Sequence, residues 1–476
     1  MNEHEARVRR VAREDLVLFV NACFACTRQS EFYSDAQGQA VSIGFLHDYI
    51  RGNYRRLYAR TLAAGINHFN QAQIVFSLLA SGRETEASFR EEENALIRAC
   101  LRQLPPQRVY RLFGRLRRER INNRRTRATI RDYVQSRRDP AFDAVKYRSK
   151  LNAAAAHAHL ALGDELSAFL FRFGEERSYT TPLLDTFREA HYSQRAIYRL
   201  PYTVAEGLAQ KHGIPRETFL ERIEPNLTQA ERLRLQQTAQ RTKGVDVEFD
   251  LARAPLTKLA LYLLSRPLNE REARRGEYVA ALNGAARRAL QRAPARLGKV
   301  AAILDRSYSS SGSSVKRRRP LGVALAASVL LRRAARDYRA FWTPACDDEL
   351  LVTPRGQTNL ADPLLDALEW GAELIVIVSD GWENDPPGTV AQLVAAYRRF
   401  LDPQHRVSVV HVNPVFDADH YEPRVLGAAL PTVGVRDAED LPTMLGFARF
   451  VDGAAELEEL DAYLEARARE LIGGDR

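Results

Sequence analysis

Three short apolar segments in the C-terminal part of the chain constrain the fold most. They are "KVAAIL" from Lys299, "ELIVIVS" from Glu373 and "RVSVVHV" from Arg406, and they lack the polar alternation of half-exposed strands. Such segments are typical of strands buried on both faces of a parallel sheet. Amphipathic segments alternate with them, the first from Pro320 to Tyr338. We therefore predict a doubly wound, mainly parallel, Rossmann-like α/β domain over residues 295–476.

The first 290 residues carry a different pattern. Apolar residues recur there at spacings of three and four, and glycine or proline interrupts the pattern at short intervals, as at Gly82, Pro140 and Pro201. This periodicity predicts a succession of α-helices of ordinary length. Because the sequence shows no fixed repeat length, we expect an irregular, HEAT-like stack of helix pairs. The sequence thus predicts a mainly α module over residues 1–290, followed by the α/β domain.

The two parts also differ in charge. Residues 1–294 contain 49 Lys and Arg against 33 Asp and Glu, a balance of +16, whereas residues 295–476 contain 21 against 27, a balance of −6. A basic surface suits a polyanion, and an acidic region suits a bound cation or a basic protein surface. The sequence has no apolar run long enough to cross a bilayer and no signal-peptide pattern. We therefore expect a cytoplasmic protein with no membrane partner.

Arginine is concentrated in residues 108–138. The segment "RVYRLFGRLRRERINNRRTRATIRDYVQSRR" holds twelve arginines against the two acids Glu119 and Asp132. Such density is typical of a phosphate-binding surface, although a solvated helix face with extended side chains gives the same pattern. More basic residues follow in "DAVKYRSKLNAAAAHAHL". The predicted RNA-binding residues are Arg117, Arg118, Arg120, Arg124, Arg125, Arg127, Arg131, Lys146, Arg148, Lys150, His157 and His159.

Oxygen-bearing side chains are predicted to converge at one edge of the sheet. The first apolar segment ends at Asp305, which opens a D-x-S-x-S pattern with Ser307 and Ser309. Thr358 lies in the glycine-containing turn of "RGQTNLADPLLDAL", and Asp380 ends the segment "IVIVSD". Carboxylate and hydroxyl oxygens suit Mg²⁺ or another hard divalent cation, and ligands of a parallel sheet bind at the carboxyl ends of its strands. The alternative is a solvated, serine-rich loop without a ligand.

The order of these five residues resembles the metal-ion-dependent adhesion site of von Willebrand factor A domains. The resemblance covers residues 297–476 and implies that all five side chains are ligands of a divalent cation, some of them through water. It also implies that a carboxylate of a partner protein fills the open position of the ion. One departure is the insert "SSGSSVKRRRP" before the next helix, which can change access to the ion.

Two segments of the helical part resemble the TROVE module of the Ro autoantigen family. They are "RATIRDYVQSRRDPAFDAVKYRSKLNAAAAHAHLAL" and "ARAPLTKLALYLL", and a TROVE module followed by an A domain is the order found in that family. The resemblance implies a ring of helical repeats that the A domain closes. The central hole would take single-stranded 3′ ends of misfolded noncoding RNAs, and the basic outer surface would take Y RNAs. A histidine contacts RNA in that family, and whether His157 or His159 has this role here stays open.

These features predict an RNA-binding protein without catalytic activity. The sequence contains no phosphate-binding G-x-x-x-x-G-K-[ST] loop, no H-E-x-x-H metal motif and no G-x-S-x-G nucleophile motif. We expect a monomer that binds Y-like and misfolded noncoding RNAs in RNA quality control, with an exoribonuclease as a further partner. The alternative is a protein-interaction adaptor whose A domain docks an AAA+ ATPase or another protein.

Overall fold

The protein is mostly helical. A computed structural model describes residues 3–228, 231–232, 235, 250–293, 295–451 and 456–474. Its described helices, numbered in chain order, are α1 Glu3–Ala25, α2 Ala36–Asn53, α3 Arg55–Arg60, α4 His68–Ala80, α5 Arg90–Gln103, α6 Pro106–Arg118, α7 Arg124–Gln135, α8 Pro140–Lys146, α9 Arg148–Ala158, α10 Asp164–Phe171, α11 Pro182–Glu189, α12 Gln194–Ile197, α13 Tyr202–Lys211, α14 Arg216–Ile223, α15 Leu256–Ser265, α16 Leu268–Ala273, α17 Arg275–Arg292, α18 Arg319–Ala334, α19 Ala361–Glu369, α20 Thr389–Phe400, α21 Leu441–Val451 and α22 Leu457–Gly473. Within these ranges no helix combines the length and the apolar character that a membrane crossing requires.

A single parallel sheet forms the centre of the C-terminal part. Its described strands are β1 Leu297–Asp305, β2 Ala335–Thr343, β3 Leu374–Val378, β4 Ser408–Asn413 and β5 Thr432–Gly434. They lie in the order β2-β1-β3-β4-β5, and each neighbouring pair is parallel. The inner strands β1, β3 and β4 are buried along most of their length, as predicted for strands covered on both faces. The coarse prediction of helices combined with a parallel α/β sheet is therefore confirmed.

Two strands were not predicted. The predicted helix from Pro320 to Tyr338 is wrong in its last turn, because α18 ends at Ala334 and β2 begins at the next residue. Strand β2 lies at the edge of the sheet and exposes Arg336, Asp337 and Arg339, so its charges look like the polar end of a helix. Strand β5 has only three residues, which is too short for a periodic pattern.

The chain divides into two compact units. The first contains residues 1–74 and 251–476 and includes the sheet, and the second contains residues 75–250. In the first unit α1 packs against β5, α21 and α22, and the buried Arg60 of α3 pairs with Asp461 of α22 at 2.6 Å. The predicted sequence modules, residues 1–290 and 295–476, follow a different boundary and stay a prediction.

The second unit is helical in its described residues, with packing between α5 and α7, between α6 and α9, and between α8 and α11. Aromatic rings fill its interior, where Tyr110 lies 5.9 Å from Tyr133 and 5.2 Å from Tyr147 between ring centroids. The Tyr110 hydroxyl donates to the buried carboxylate of Asp143 at 2.8 Å, and Arg137 donates to the same group at 2.5 Å. This interior fixes α6 and α7, whose opposite faces carry several of the predicted RNA-binding arginines.

Candidate functional site

Two buried carboxylates meet where the strand order of the sheet reverses. Strand β2 lies on one side of β1 and β3 lies on the other, so the loops that follow β1 and β3 leave in opposite directions. Asp305 is the last residue of β1, Asp380 follows the end of β3 by two residues, and each is only 3% exposed. Both line one small crevice with Ser310 and Pro320. The structure thus brings the two predicted acids together at the ligand-binding edge of a parallel sheet.

Two serines connect these acids. The backbone N–H of Ser307 donates to Asp305 Oδ1 at 2.7 Å, and the hydroxyls of Ser307 and Ser309 lie 3.2 Å apart. The Ser309 side chain interacts in turn with the carboxylate of Asp380 and partly offsets the burial that raises its pKa. Both serines are buried. Asp305, Ser307, Ser309 and Asp380 therefore form one continuous polar cluster, in contrast to a solvated serine loop.

Thr358 lies in a loop that is tied to the loops of both acids. Its backbone N–H donates to Asn384 Oδ1 at 2.8 Å, beyond Asp380 in sequence, and the Tyr308 N–H donates to the Gly356 carbonyl at 3.1 Å. Gly356 has a φ of +73°, and a Cβ there would lie 2.8 Å from Pro344 Cγ, so this turn requires glycine. Thr358 itself is buried. We refer to Asp305, Ser307, Ser309, Thr358 and Asp380 as the oxygen cluster.

The electrostatics of the oxygen cluster favour a bound cation. Burial, together with the negative charge of Asp380, raises the pKa of Asp305 to about 7, and burial also raises the pKa of Asp380. Asp380 Oδ2 is buried and has no hydrogen-bond partner among the described residues. The described residues contain no group of three or more His, Cys, Asp or Glu that could hold a metal ion. The oxygen cluster instead combines two carboxylates with three hydroxyls. Such an all-oxygen set fits a hard divalent cation such as Mg²⁺.

The insert before α18 folds against the segment after α1. The Ser313 hydroxyl donates to the Ser30 carbonyl at 2.7 Å, and Lys316 forms a buried ion pair with Glu31. Gly312 has a φ of +68°, and a Cβ there would lie 2.2 Å from the Lys316 carbonyl oxygen. The insert therefore has a defined conformation, which holds the segment that contains Tyr33 beside the oxygen cluster.

Three residues beside the oxygen cluster were not predicted from the sequence. The Tyr33 ring packs 4.7 Å from the Trp382 ring, and the guanidinium of Arg424 lies 3.5 Å from the centre of that Trp382 ring. The backbone N–H of Trp382 donates to Asp380 Oδ1 at 3.1 Å, and the Tyr33 side chain lies beside Ser309 and interacts with it. The position of Trp382 two residues after Asp380 was a usable signal. Tyr33 and Arg424 are distant in sequence, and only the folded chain shows their position.

Six of the predicted arginines form an exposed surface on the second unit. Helix α6 buries Val109 and Phe113, and α7 buries Ile130 and Tyr133, so most of their arginines lie on the opposite faces. Arg120 lies in the loop between the two helices. We refer to the exposed set as the arginine face; its members are Arg117, Arg118, Arg120, Arg124, Arg127 and Arg131. Among the described residues, only Arg131 of this set has an acid within ion-pair distance, with its Nε 3.8 Å from Asp132 Oδ1.

Other predicted basic residues make internal contacts. Arg125 donates to the fully buried carboxylate of Glu93 at 2.6 Å, and Arg148 donates to the Phe169 carbonyl at 3.1 Å. Lys146 Nζ lies 4.0 Å from the carboxylate of Glu231. Lys150 is half-buried, and burial with the nearby Arg111 lowers its pKa. The predicted set is therefore divided between an exposed surface and residues that pack within the unit.

The two histidines have different environments. His157 Nε2 lies 3.0 Å from the Ile121 carbonyl, so it contacts the loop between α6 and α7. His159 follows the end of α9 in the left-handed conformation, with a φ of +52°, and is exposed. His159 is thus open to solvent, whereas His157 lies against the loop that carries Arg120.

No protein-family model matches this chain, and no curated protein matches its sequence. The resemblances to the TROVE module and to the von Willebrand factor A domain therefore stay predictions. The geometry itself provides an oxygen-lined, buried edge suited to a divalent cation and an exposed surface suited to a polyanion.

Proposed function

We propose that this protein binds noncoding RNA with the arginine face of the second unit and recruits an acidic protein partner with a divalent cation at the sheet edge. It would be a Ro-type ribonucleoprotein component, with the helical-repeat ring and the A domain that the sequence motifs imply. The proposed role is binding without catalysis, by a cytoplasmic monomer in RNA quality control. The observation that carries the proposal is the arginine face, whose members other than Arg131 have no ion-pair partner among the described residues.

Phosphate is the chemistry that such a surface recognises. Several guanidinium groups on two successive helices repel one another, and a polyanion relieves that repulsion with release of its own counterions. A guanidinium group can donate two parallel hydrogen bonds to one phosphate. Contacts to phosphate do not depend on the base, so this surface would bind RNA with little sequence specificity. The selection of misfolded RNAs would then come from the central hole, which admits a single strand and excludes a duplex.

The oxygen cluster would hold the cation through Asp305, Ser307, Ser309, Thr358 and Asp380. A bound Mg²⁺ would offer an electrophilic position for a carboxylate of the partner, such as an acidic side chain of an exoribonuclease. Three further side chains of this protein surround the site where the partner would bind. Tyr33 and Trp382 provide an aromatic surface, and Arg424 provides a positive charge close to Asp380.

The second candidate function is that of a protein-interaction adaptor. The exposed aromatic rings of Phe32 and Tyr33 favour it, because they pack 4.8 Å apart beside the oxygen cluster and leave an apolar surface open to a protein. In this case the sheet edge would dock an AAA+ ATPase or another protein, and the helical unit would bind a protein in place of RNA.

The two functions separate in one binding experiment. The complete chain is titrated into a labelled, folded RNA with a free 3′ tail, and into the same RNA without the tail, and anisotropy is followed at several salt concentrations. The proposed function predicts an affinity loss of about a hundredfold or more between about 50 and about 200 mM salt. It also predicts at least about tenfold weaker binding without the tail. An adaptor would bind both RNAs weakly and equally.

A further inference from the structure

A groove lined by five arginines lies in the second unit. Two of them come from α5, one comes from the segment between α4 and α5, and two come from the first turn of α7. The five arginines are Arg83, Arg90, Arg98, Arg124 and Arg125, and Asp132 lies in the same lining. Its volume, including the open mouth, is about 1220 Å³. We refer to it as the arginine groove.

The charges in the arginine groove are not balanced. Arg125 is paired with Glu93, and Asp132 is the one acid in the lining. Among the described residues, Arg83, Arg98 and Arg124 have no ion-pair partner, and Arg90 has only a long contact of 3.4 Å with the Thr85 carbonyl. Four guanidinium groups in one concave site repel each other. This unbalanced positive charge favours the binding of an anion of high charge.

Hydrogen-bond donors in the wall of the groove also lack partners. Arg125 Nε and Nη2 are buried and have no acceptor among the described residues. Buried guanidinium donors without acceptors are costly, since each has lost its hydration. Arg124 and Arg125 lie in the first turn of α7, where the helix dipole adds positive potential. Both features favour an acceptor-rich anion.

We propose that the arginine groove binds a triphosphate group, either at the 5′ end of an RNA or free in solution. The first form rests on the RNA binding proposed above, and the second does not. The lining has no aromatic residue on which a base could stack, so the groove recognises phosphate alone. A triphosphate concentrates several charges on one short group, whereas each backbone phosphodiester carries one. The four unbalanced arginines match the denser group.

The test uses the complete chain in buffer without divalent cations, because tripolyphosphate chelates them. Three ligands are compared: a hairpin RNA with a 5′-triphosphate, the same RNA with a 5′-hydroxyl, and inorganic tripolyphosphate. Sulfate at the same ionic strength controls for screening. We expect the triphosphate RNA to bind at least about tenfold more tightly than the hydroxyl RNA. We also expect tripolyphosphate to compete with the triphosphate RNA for the groove far better than sulfate does.

The variant is the double substitution Arg83→Ala and Arg98→Ala, which leaves the arginine face intact. Both side chains are exposed, so the variant should fold, and its thermal unfolding is compared with that of the parent chain. The matched control is Arg177→Ala with Arg195→Ala, two exposed arginines of the same unit outside the groove. The groove variant should lose the preference for the triphosphate end and its affinity for tripolyphosphate, and the control should keep both.

The outcomes are separable. In one outcome the groove variant loses tripolyphosphate binding, and the parent chain binds both RNAs equally. The groove then binds a free anion, which supports the inference. Tripolyphosphate binding without any RNA binding also supports it, while the proposed function fails. Equal affinity for both RNAs, with tripolyphosphate no better than sulfate, overturns the inference and leaves RNA binding by the arginine face untouched.

Discussion

The oxygen cluster of the first unit and the arginine face of the second unit hold opposite charges in opposite ways. Asp305 and Asp380 are each 3% exposed and accept hydrogen bonds from backbone N–H groups. The arginines of the face extend into solvent from two helices. A buried pair of acids requires hydrogen-bond partners at fixed positions. Because those positions are fixed, the site selects a small ligand by its geometry. An exposed set of cations needs no fixed geometry and suits an extended, flexible polyanion.

The first test of this contrast removes one carboxylate of the oxygen cluster. Asp305→Ala should weaken divalent cation binding by at least about a hundredfold, because one of only two charged ligands is lost. RNA affinity should change by less than about twofold, since the arginines belong to the other compact unit. Cation binding is measured by titration calorimetry or with Mn²⁺ by paramagnetic resonance, and RNA binding by anisotropy.

Asp366→Ala is the matched control, since Asp366 is an exposed acid on α19 in the same unit. It should leave cation binding unchanged. Full cation binding by the Asp305→Ala variant would place the ion elsewhere and reject the oxygen cluster as its site.

The second test of the contrast reverses two charges of the arginine face. The double substitution Arg124→Glu and Arg127→Glu should weaken RNA binding by at least about tenfold and should reduce the slope of log affinity against log salt by about two. Both side chains are exposed, so the effect reflects lost phosphate contacts and added repulsion. Cation affinity should stay the same. The measurement is the anisotropy titration over a salt series.

The control for these reversals is Arg177→Glu with Arg195→Glu, which makes the same change of net charge on exposed residues of the same unit. If both double variants lose equal affinity, the arginine face is not the site, and only the total charge of the chain matters.

The oxygen cluster was easier to predict from the sequence than the arginine face, for a physical reason. Parallel strands end at a common edge, so the placement of Asp305 and Asp380 follows once two buried strands are recognised. An arginine on a helix has no such constraint. Arg124 and Arg125 are adjacent, yet Arg124 is exposed and Arg125 pairs with the buried Glu93 on α5. Which of two neighbours turns inward depends on a partner helix that local sequence does not reveal.

The same limit explains the missed strands and the missed aromatic rings. Strand β2 has charged residues because it lies at an edge, and its position at the edge is a property of the whole sheet. Tyr33 reaches the oxygen cluster because Glu31 pairs with Lys316, a contact across 285 residues of sequence. Contacts of this separation arise from the complete fold and leave no local pattern.

The smallest expected effect tests whether the unpredicted Tyr33 belongs to the cation site. Tyr33→Phe removes the hydroxyl that interacts with Ser309 and keeps the ring on Trp382. Ser309 then loses one partner that orients it, so cation affinity should fall by a few-fold, below the roughly tenfold to hundredfold typical of fully buried supporting residues. Tyr192→Phe, at a tyrosine that is 82% exposed, is the control and should change nothing. A loss as large as that of Asp305→Ala would make the phenol a ligand in its own right, and an unchanged affinity would show that Ser309 is held by Ser307 and Asp380 alone.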